Sequence, residues 1–202
     1  MERHEQLMTT GKEIVQGAPQ LFIDVDVEAD GKPGYGSLLS IGAIAPAGEE
    51  FYVELKPTSK NWIKSQRDFC ERHGLERKRL QEEGEAPSQA LRQLADWVGD
   101  LRRASGKLAI MTTFNHSFDY GFIDLYCYET GTINPFETSP FDIKSRILGL
   151  QEGWDWAQTG KGKLPTALLP EGDFTHNALE DARYQQKIHF ALAGLLNLGG
   201  RQ

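Results

Sequence analysis

The sequence predicts an α/β fold: a mixed central sheet in which three antiparallel strands are followed by parallel additions, flanked by helices. Three observations carry this. A hydrophobic strand pattern beginning at Leu21 is followed at short spacing by two more, Ser37 to Pro46 and Glu50 to Pro57. Connections that short make an antiparallel meander. Next, Ser88 to Ser105 places Leu91, Leu94, Ala95, Val98 and Leu101 at helical spacing. Finally, that helix leads into another apolar strand, Lys107 to Phe114, so the chain passes from a meander into helix and strand alternation.

Each element has a local reason. The first strand alternates Leu21, Ile23, Val25 and Val27 with Asp24, Asp26 and Glu28. Gly31-Lys32-Pro33-Gly34-Tyr35-Gly36 is a turn by composition. It is not a P-loop, because no Gly-Lys pair here is followed by Ser or Thr. Thr58 to Pro87 is polar, with helical pieces broken at Gly74 and Gly84. Its Arg72, Arg77, Lys78 and Arg79 interleave with Glu71, Glu76, Glu82 and Glu83, which predicts a solvated helix face and not a nucleic-acid patch. Trp62 and Trp97 are assigned to edge or core packing. A helix runs from about Phe118 to Glu129 and ends at Gly131. Asp142 to Leu150 is a short helix, and Gln151 to Thr175, with Trp154 and Trp156, is a long loop. The final helix starts in a capping-box-like Asn177-Ala178-Leu179-Glu180, and Ala178, Leu179, Ala182, Ile188, Leu192, Leu195 and Leu196 form its apolar stripe.

The whole-chain properties narrow the classes. At 202 residues, with 39% hydrophobic and 25% charged residues, the chain reads as one globular domain over 21–198 behind a loose extension over 1–20. A net charge of −7 argues against a broad basic surface that coats duplex DNA. Cys70 and Cys127 have no metal or disulfide spacing and read as reduced thiols. No stretch is apolar enough for a signal peptide or a membrane span, which makes a cytoplasmic protein the expectation.

The acids on the first strand are the chemical signal. Residues two apart on a strand share a face, so Asp24, Asp26 and Glu28 aim the same way. Grouped carboxylates repel one another, and hard divalent cations, Mg²⁺ or Mn²⁺, are their natural counter-charge. From the strand alone, Asp24 with Asp26 and Asp26 with Glu28 are both open. Two further acids fall in first turns of helices: Asp119, in Asn115-His116-Ser117-Phe118-Asp119, and Asp181, in His176-Asn177-Ala178-Leu179-Glu180-Asp181. Taken singly, each suits the helix macrodipole.

Taken together, Asp-x-Glu-x-x-Gly on a first strand, Asn-x-x-x-Asp after a later strand and His-x-x-x-x-Asp at a last helix resemble the DEDDh 3′–5′ exonuclease superfamily. The resemblance spans Leu21 to about Ala193 and implies a ribonuclease H-like fold. It also fixes the frame: the family's Gly follows its Glu by three, as Gly31 follows Glu28, so the first pair is Asp26 and Glu28. Phe114 stands where family members often carry His, a departure that bears on cleft shape.

The resemblance implies that Asp26, Glu28, Asp119 and Asp181 hold two divalent cations, Mg²⁺ or Mn²⁺, and that His176 is the general base. It implies a 3′–5′ exonuclease acting on single-stranded DNA or RNA 3′ ends, with Ala29, Asp30 and Gly31 along the terminal nucleotide. Asn115 belongs to the second motif, and Phe118 and Tyr35 offer aromatic faces on which bases stack. His116, inside that motif, is a further candidate for the cleft wall. Several family members are dimers, so a homodimer is one expected state. Two rival readings are a catalytically silent nucleic-acid-binding or scaffold protein on the same fold, and a small-nucleotide phosphoesterase.

Overall fold

The computed structural model describes residues 19–150, 155–171 and 175–199. Most of the expected N-terminal extension, Trp154 and the side chains of Leu195 and Leu196 lie outside the described residues. The strands are β1 (Gln20–Ala29), β2 (Leu38–Ile44), β3 (Glu50–Glu54), β4 (Leu108–Thr113) and β5 (Phe141–Asp142). The helices are α1 (Lys64–Arg72), α2 (Arg77–Glu83), α3 (Pro87–Ser105), α4 (His116–Thr130), α5 (Ile143–Leu150) and α6 (Ala178–Gly199). Three short 3₁₀ turns, Trp156–Thr159, Lys161–Lys163 and Thr166–Leu168, give local order to the segment expected as a plain loop.

The sheet order is β3-β2-β1-β4-β5. The meander is antiparallel, with Asp26 paired to Gly42 across β1 and β2. Strand β4 adds in parallel to β1, with Asp24 opposite Thr112, and β5 adds in parallel to β4. The mixed ribonuclease H-like sheet is therefore as expected, with β5 as an extra strand. Asp142 was expected to open the short helix, which starts instead at Ile143, and Phe141 was assigned to no element.

The odd-numbered residues of β1 enter the main core. Ile23, Val25 and Val27 cluster there with Ala90, Leu91, Leu94 and Val98 of α3 and with Phe122 and Ile123 of α4. Helix α3 thus buries Leu91, Leu94 and Val98 of the stripe expected of it and leaves Ala95 and Leu101 half-buried, while Trp97 packs at the rim against Phe51. The even face of β1 is covered by α6, so Asp24 is fully buried. A second cluster joins Ile143 and Ile147 of α5 to Leu164, Leu168 and the buried stripe of α6, Ile188 and Leu192. That cluster docks α5 and the 3₁₀ turns beside the final helix.

Two local readings need correction. The basic residues of the 58–87 segment are not all a solvated face. Arg77 donates to the buried Asp30 carboxylate and to the Ser59 carbonyl at 2.6 Å, and Arg79 donates to Glu54 at 2.7 Å. These partners lie too far along the chain to register as i,i+4 pairs. At the start of α6, Asn177 Oδ1 accepts from the Leu179 and Glu180 amides, but the Glu180 carboxylate goes to Arg183, so the expected box is a simple N-cap. Gly131 ends α4 in the left-handed region, as expected. Both cysteines are free and buried, and burial pushes each thiol up to about 12.

Candidate active site

Three separate segments place acids at one end of the sheet. Asp26 and Glu28 project from the same face near the carboxyl end of β1. Chain leaving β4 enters α4, and Asp119 lies in the first turn of that helix, 4% exposed. Asp181 lies in the first turn of α6, 3% exposed. Open α/β sheets commonly hold ligands outside the carboxyl ends of their strands.

Gly42 is what lets the last of these segments come close. A Cβ at this position would lie 2.2 Å from the backbone of Ala178 and Leu179. The glycine faces Asp26 across the ladder, so the start of α6 rests directly on the sheet beside Asp26. Sequence reasoning passed over this residue. Its signal was a glycine inside an otherwise apolar strand, a mark of close backbone approach.

Asp26, Glu28, Asp119, Asp181 and His176 all line a single open cleft of about 410 Å³, together with Asn115, Phe118 and Lys144 among others. Asp181 shapes the turn that carries His176. Its Oδ1 accepts from the amides of Thr175 at 2.9 Å and His176 at 3.3 Å, and its Oδ2 lies 3.9 Å from His176 Nδ1. His176 has φ +59°, a backbone conformation that few non-glycine residues adopt and that the turn imposes. Its ring meets Phe69 edge-on at 4.3 Å and stands 4.8 Å from the ring of His73. Neither Phe69 nor His73 carried a sequence signal, because each lies about a hundred positions from His176.

The donor set suits a hard divalent cation. Glu28, His176 and Asp181 each offer a ligand atom, and these atoms lie within 4.8 Å of one another. Asp26 and Asp119 add carboxylate oxygens to the same cleft. Such ions favour carboxylate oxygen.

The other candidates fall elsewhere. Ala29, Asp30 and Gly31 are buried and do not line this cleft. Asp30 Oδ1 accepts from the Ser37 amide at 2.6 Å while its other oxygen pairs with Arg77, so it closes the β1–β2 turn. A Cβ on Gly36 would lie 2.4 Å from Gly31 Cα, which is why this turn holds glycines. Tyr35 is half-exposed beside a separate hollow with Thr58 and Ser59. His116 sits on Asp142 at 3.2 Å, outside the cleft lining. Asp24, whose role the sequence left open, meets His189 at 3.2 Å and Gln185 at 3.3 Å. Burial holds its carboxyl above the usual carboxylate range despite those partners.

Comparisons with known proteins bear on the fold and the family. No protein-family model matches the chain. A curated relative, the 3′-5′ DNA exonuclease Cap18 of Escherichia coli, is 33% identical over 172 residues, covering 84% of this chain and 89% of the relative. The nuclease domain of 3′hExo, a DEDDh family member solved with rAMP, superimposes with a TM-score of 0.68 at 14% identity, covering 90% of this chain and 94% of that one. The Mg²⁺- and Mn²⁺-bound form of S. pombe Pop2p gives a TM-score of 0.61 at 14% identity, covering 98% and 92%. These two likenesses concern the fold, and the curated relative carries the kinship. The chain belongs to the DEDDh superfamily of 3′–5′ exonucleases.

Proposed function

We propose that this enzyme removes nucleotides from the 3′ ends of single-stranded DNA, with Asp26, Glu28, Asp119 and Asp181 holding two divalent cations, Mg²⁺ or Mn²⁺, and His176 as general base. The observation that carries the reading is the convergence in one cleft of four acids and a histidine drawn from three distant segments. DNA is the preferred substrate in this reading because the 33%-identical relative is a DNA exonuclease. When bound, two such cations activate a water and steady the leaving 3′-oxygen.

The chain's own residues have separable tasks. The carboxylates supply anionic oxygens that offset the cations' charge. His176 is in the same cluster, and its imidazole is assigned to the proton because oxygen is the better donor for a hard ion. An imidazole titrates near neutrality and can take a proton from the attacking water at working pH. Its side chain is 39% exposed, so the proton can pass on to solvent. Asp181 fixes the backbone of the His176 turn through two amides, which keeps the base in place. Asn115 and Phe118, both on the cleft wall, contact the terminal nucleotide. Asp30, with Arg77, acts from behind by holding the turn that leaves β1.

The test is a time course on 5′-labelled single-stranded DNA and RNA oligonucleotides with Mg²⁺, with Mn²⁺ and with EDTA, beside His176→Ala. The expected result is a DNA ladder shortening from the 3′ end, absent in EDTA and slowed roughly 10²–10⁴-fold in the variant. Degradation of RNA alone would overturn the substrate assignment. No cleavage with either metal would overturn the reading as a whole.

A further inference from the structure

We propose that Lys144 and Trp156 form a clasp at the cleft rim that grips the substrate strand, Lys144 on a backbone phosphate and Trp156 on a base. This deepens the function proposed above and rests on it.

The cleft poses an electrostatic problem. It gathers four carboxylates, and the chain as a whole carries −7. A nucleic-acid strand entering it brings further negative charge. Bound cations answer at the reacting phosphate, but the phosphates leading up to it need their own partner. Among the described residues lining the cleft, Lys144 is the only lysine or arginine. It lies in the first turn of α5, whose Ile143 and Ile147 are fully buried, so its stem starts from a fixed base.

Trp156 supplies the second half. The Lys144 ammonium lies 4.3 Å from the centre of its indole ring, a cation–π contact. A tryptophan that only pins a loop to a core is buried, but Trp156 is 52% exposed. Yet the turn carrying it is firmly built. Asp155 Oδ1 accepts from the Ala157 and Gln158 amides, Gln158 accepts from the Asp155 amide, and the buried Thr159 hydroxyl donates to the Trp156 carbonyl. The following residue, Gly160, lines the cleft. A rigid turn thus presents an aromatic surface to solvent at the cleft rim, with a lysine steadied against it. Aromatic faces bind bases with little regard to sequence, and an adjacent ammonium reads phosphate, so the pair fits single-stranded nucleic acid.

The experiment measures fluorescence anisotropy of a 5′-fluorescein dT₁₂ oligonucleotide in EDTA across a salt series, with cleavage of the same oligonucleotide in Mg²⁺ assayed in parallel. The proteins are wild type, Lys144→Ala, Lys144→Arg, Trp156→Ala and Trp156→Phe. Lys144→Ala should weaken binding about tenfold and flatten the slope of log K against log salt by about 0.7, as for one lost phosphate contact on a single strand. Lys144→Arg should restore both. Trp156→Ala should weaken binding on the order of tenfold with the salt slope held, and Trp156→Phe should recover most of it. Cleavage by wild type, with Lys144→Ala matching it in affinity and salt slope, would overturn the clasp and leave the exonuclease standing. Neither cleavage nor binding by wild type would overturn both.

Discussion

Four acids lie within seven residues of β1 and the turn after it, and they divide into two pairs. Asp24 and Asp30, the outer pair, are fully buried and find their partners within the protein: the His189 ring and the Gln185 amide for one, the Arg77 guanidinium and the Ser37 amide for the other. Asp26 and Glu28, the inner pair, face a cleft where the nearby acids are Asp119 and Asp181. Acids sealed inside the protein with partners of their own chain hold the fold together. Acids that converge on other acids in an open cleft are the ones that, in the function proposed above, would take divalent cations. The division lies in their surroundings and not in residue type, since Asp24 and Asp26 share one face of one strand.

The sharpest way to break that comparison is to remove one carboxylate from each pair while keeping its shape. Asp26→Asn should lower 3′–5′ hydrolysis by at least about 10³-fold, or roughly 4 kcal/mol of barrier, with the unfolding midpoint nearly unchanged. Asp24→Asn, two residues away, should leave hydrolysis within about threefold of wild type, because an amide fills the same buried space without a charge to desolvate. Rate and thermal melting measured on both proteins decide the matter. Equal losses of hydrolysis would erase the distinction between the pairs.

Next in size is Asp30→Ala. Removing one partner leaves the Arg77 guanidinium, 21% exposed, without its carboxylate, and breaks the bond to the Ser37 amide. Loss of one member of a buried pair costs about 3–5 kcal/mol, which for a chain of this size lowers the melting temperature by on the order of 10 °C. Hydrolysis per folded molecule, measured well below that temperature, should persist. A normal melting curve with abolished hydrolysis would move Asp30 into the inner pair's company.

How legible these divisions were in the sequence depends on the range of the interaction. The strand carrying the acids, the meander and the α3 stripe are local patterns of period 2 and 3.6, and all were readable. The four acids and His176, which line the cleft, were readable too, but only as an ordered set. Period 2 puts Asp24, Asp26 and Glu28 on one face and cannot say which of them α6 will cover. That depends on His189 and Gln185, some 160 positions away. The Arg77–Asp30 pair, 47 positions apart, was equally hidden, and Arg77 read as part of a solvated face. Strand β5 is two residues long, too short to have a period, and exists because β4 offers it an edge. Lys144 carried no signal at all, since only the docking of α5 brings it to the cleft.

Asp142 gives the smallest and most exacting check, because it is a third case: an acid that is only partly buried and is held by two backbone amides as well as a histidine ring. Its Oδ1 accepts from the Ser145 amide at 2.6 Å, capping α5, and its Oδ2 accepts from the His116 amide and faces the His116 ring at 3.2 Å. Burial alone would raise its pKa, but these bonds outweigh burial and hold it below its ordinary 3.8. Asp24, also hydrogen-bonded, moves the other way because it is sealed under α6. A depressed folded-state pKa means the ionised carboxylate favours the native state. Its contribution is therefore complete above the unfolded value near 3.8 and fades as pH falls through the lower folded value. Asp142→Asn keeps an oxygen for the cap but loses the charge, so at pH 7 it should be about 0.5–1 kcal/mol less stable than wild type. Below about pH 3.8 the gap should shrink steadily, as the wild-type carboxyl becomes neutral as well. Urea unfolding of both proteins at several pH values between 2.5 and 7 measures this. A gap that stays constant across the range would mean the bonds at Asp142 owe nothing to its charge.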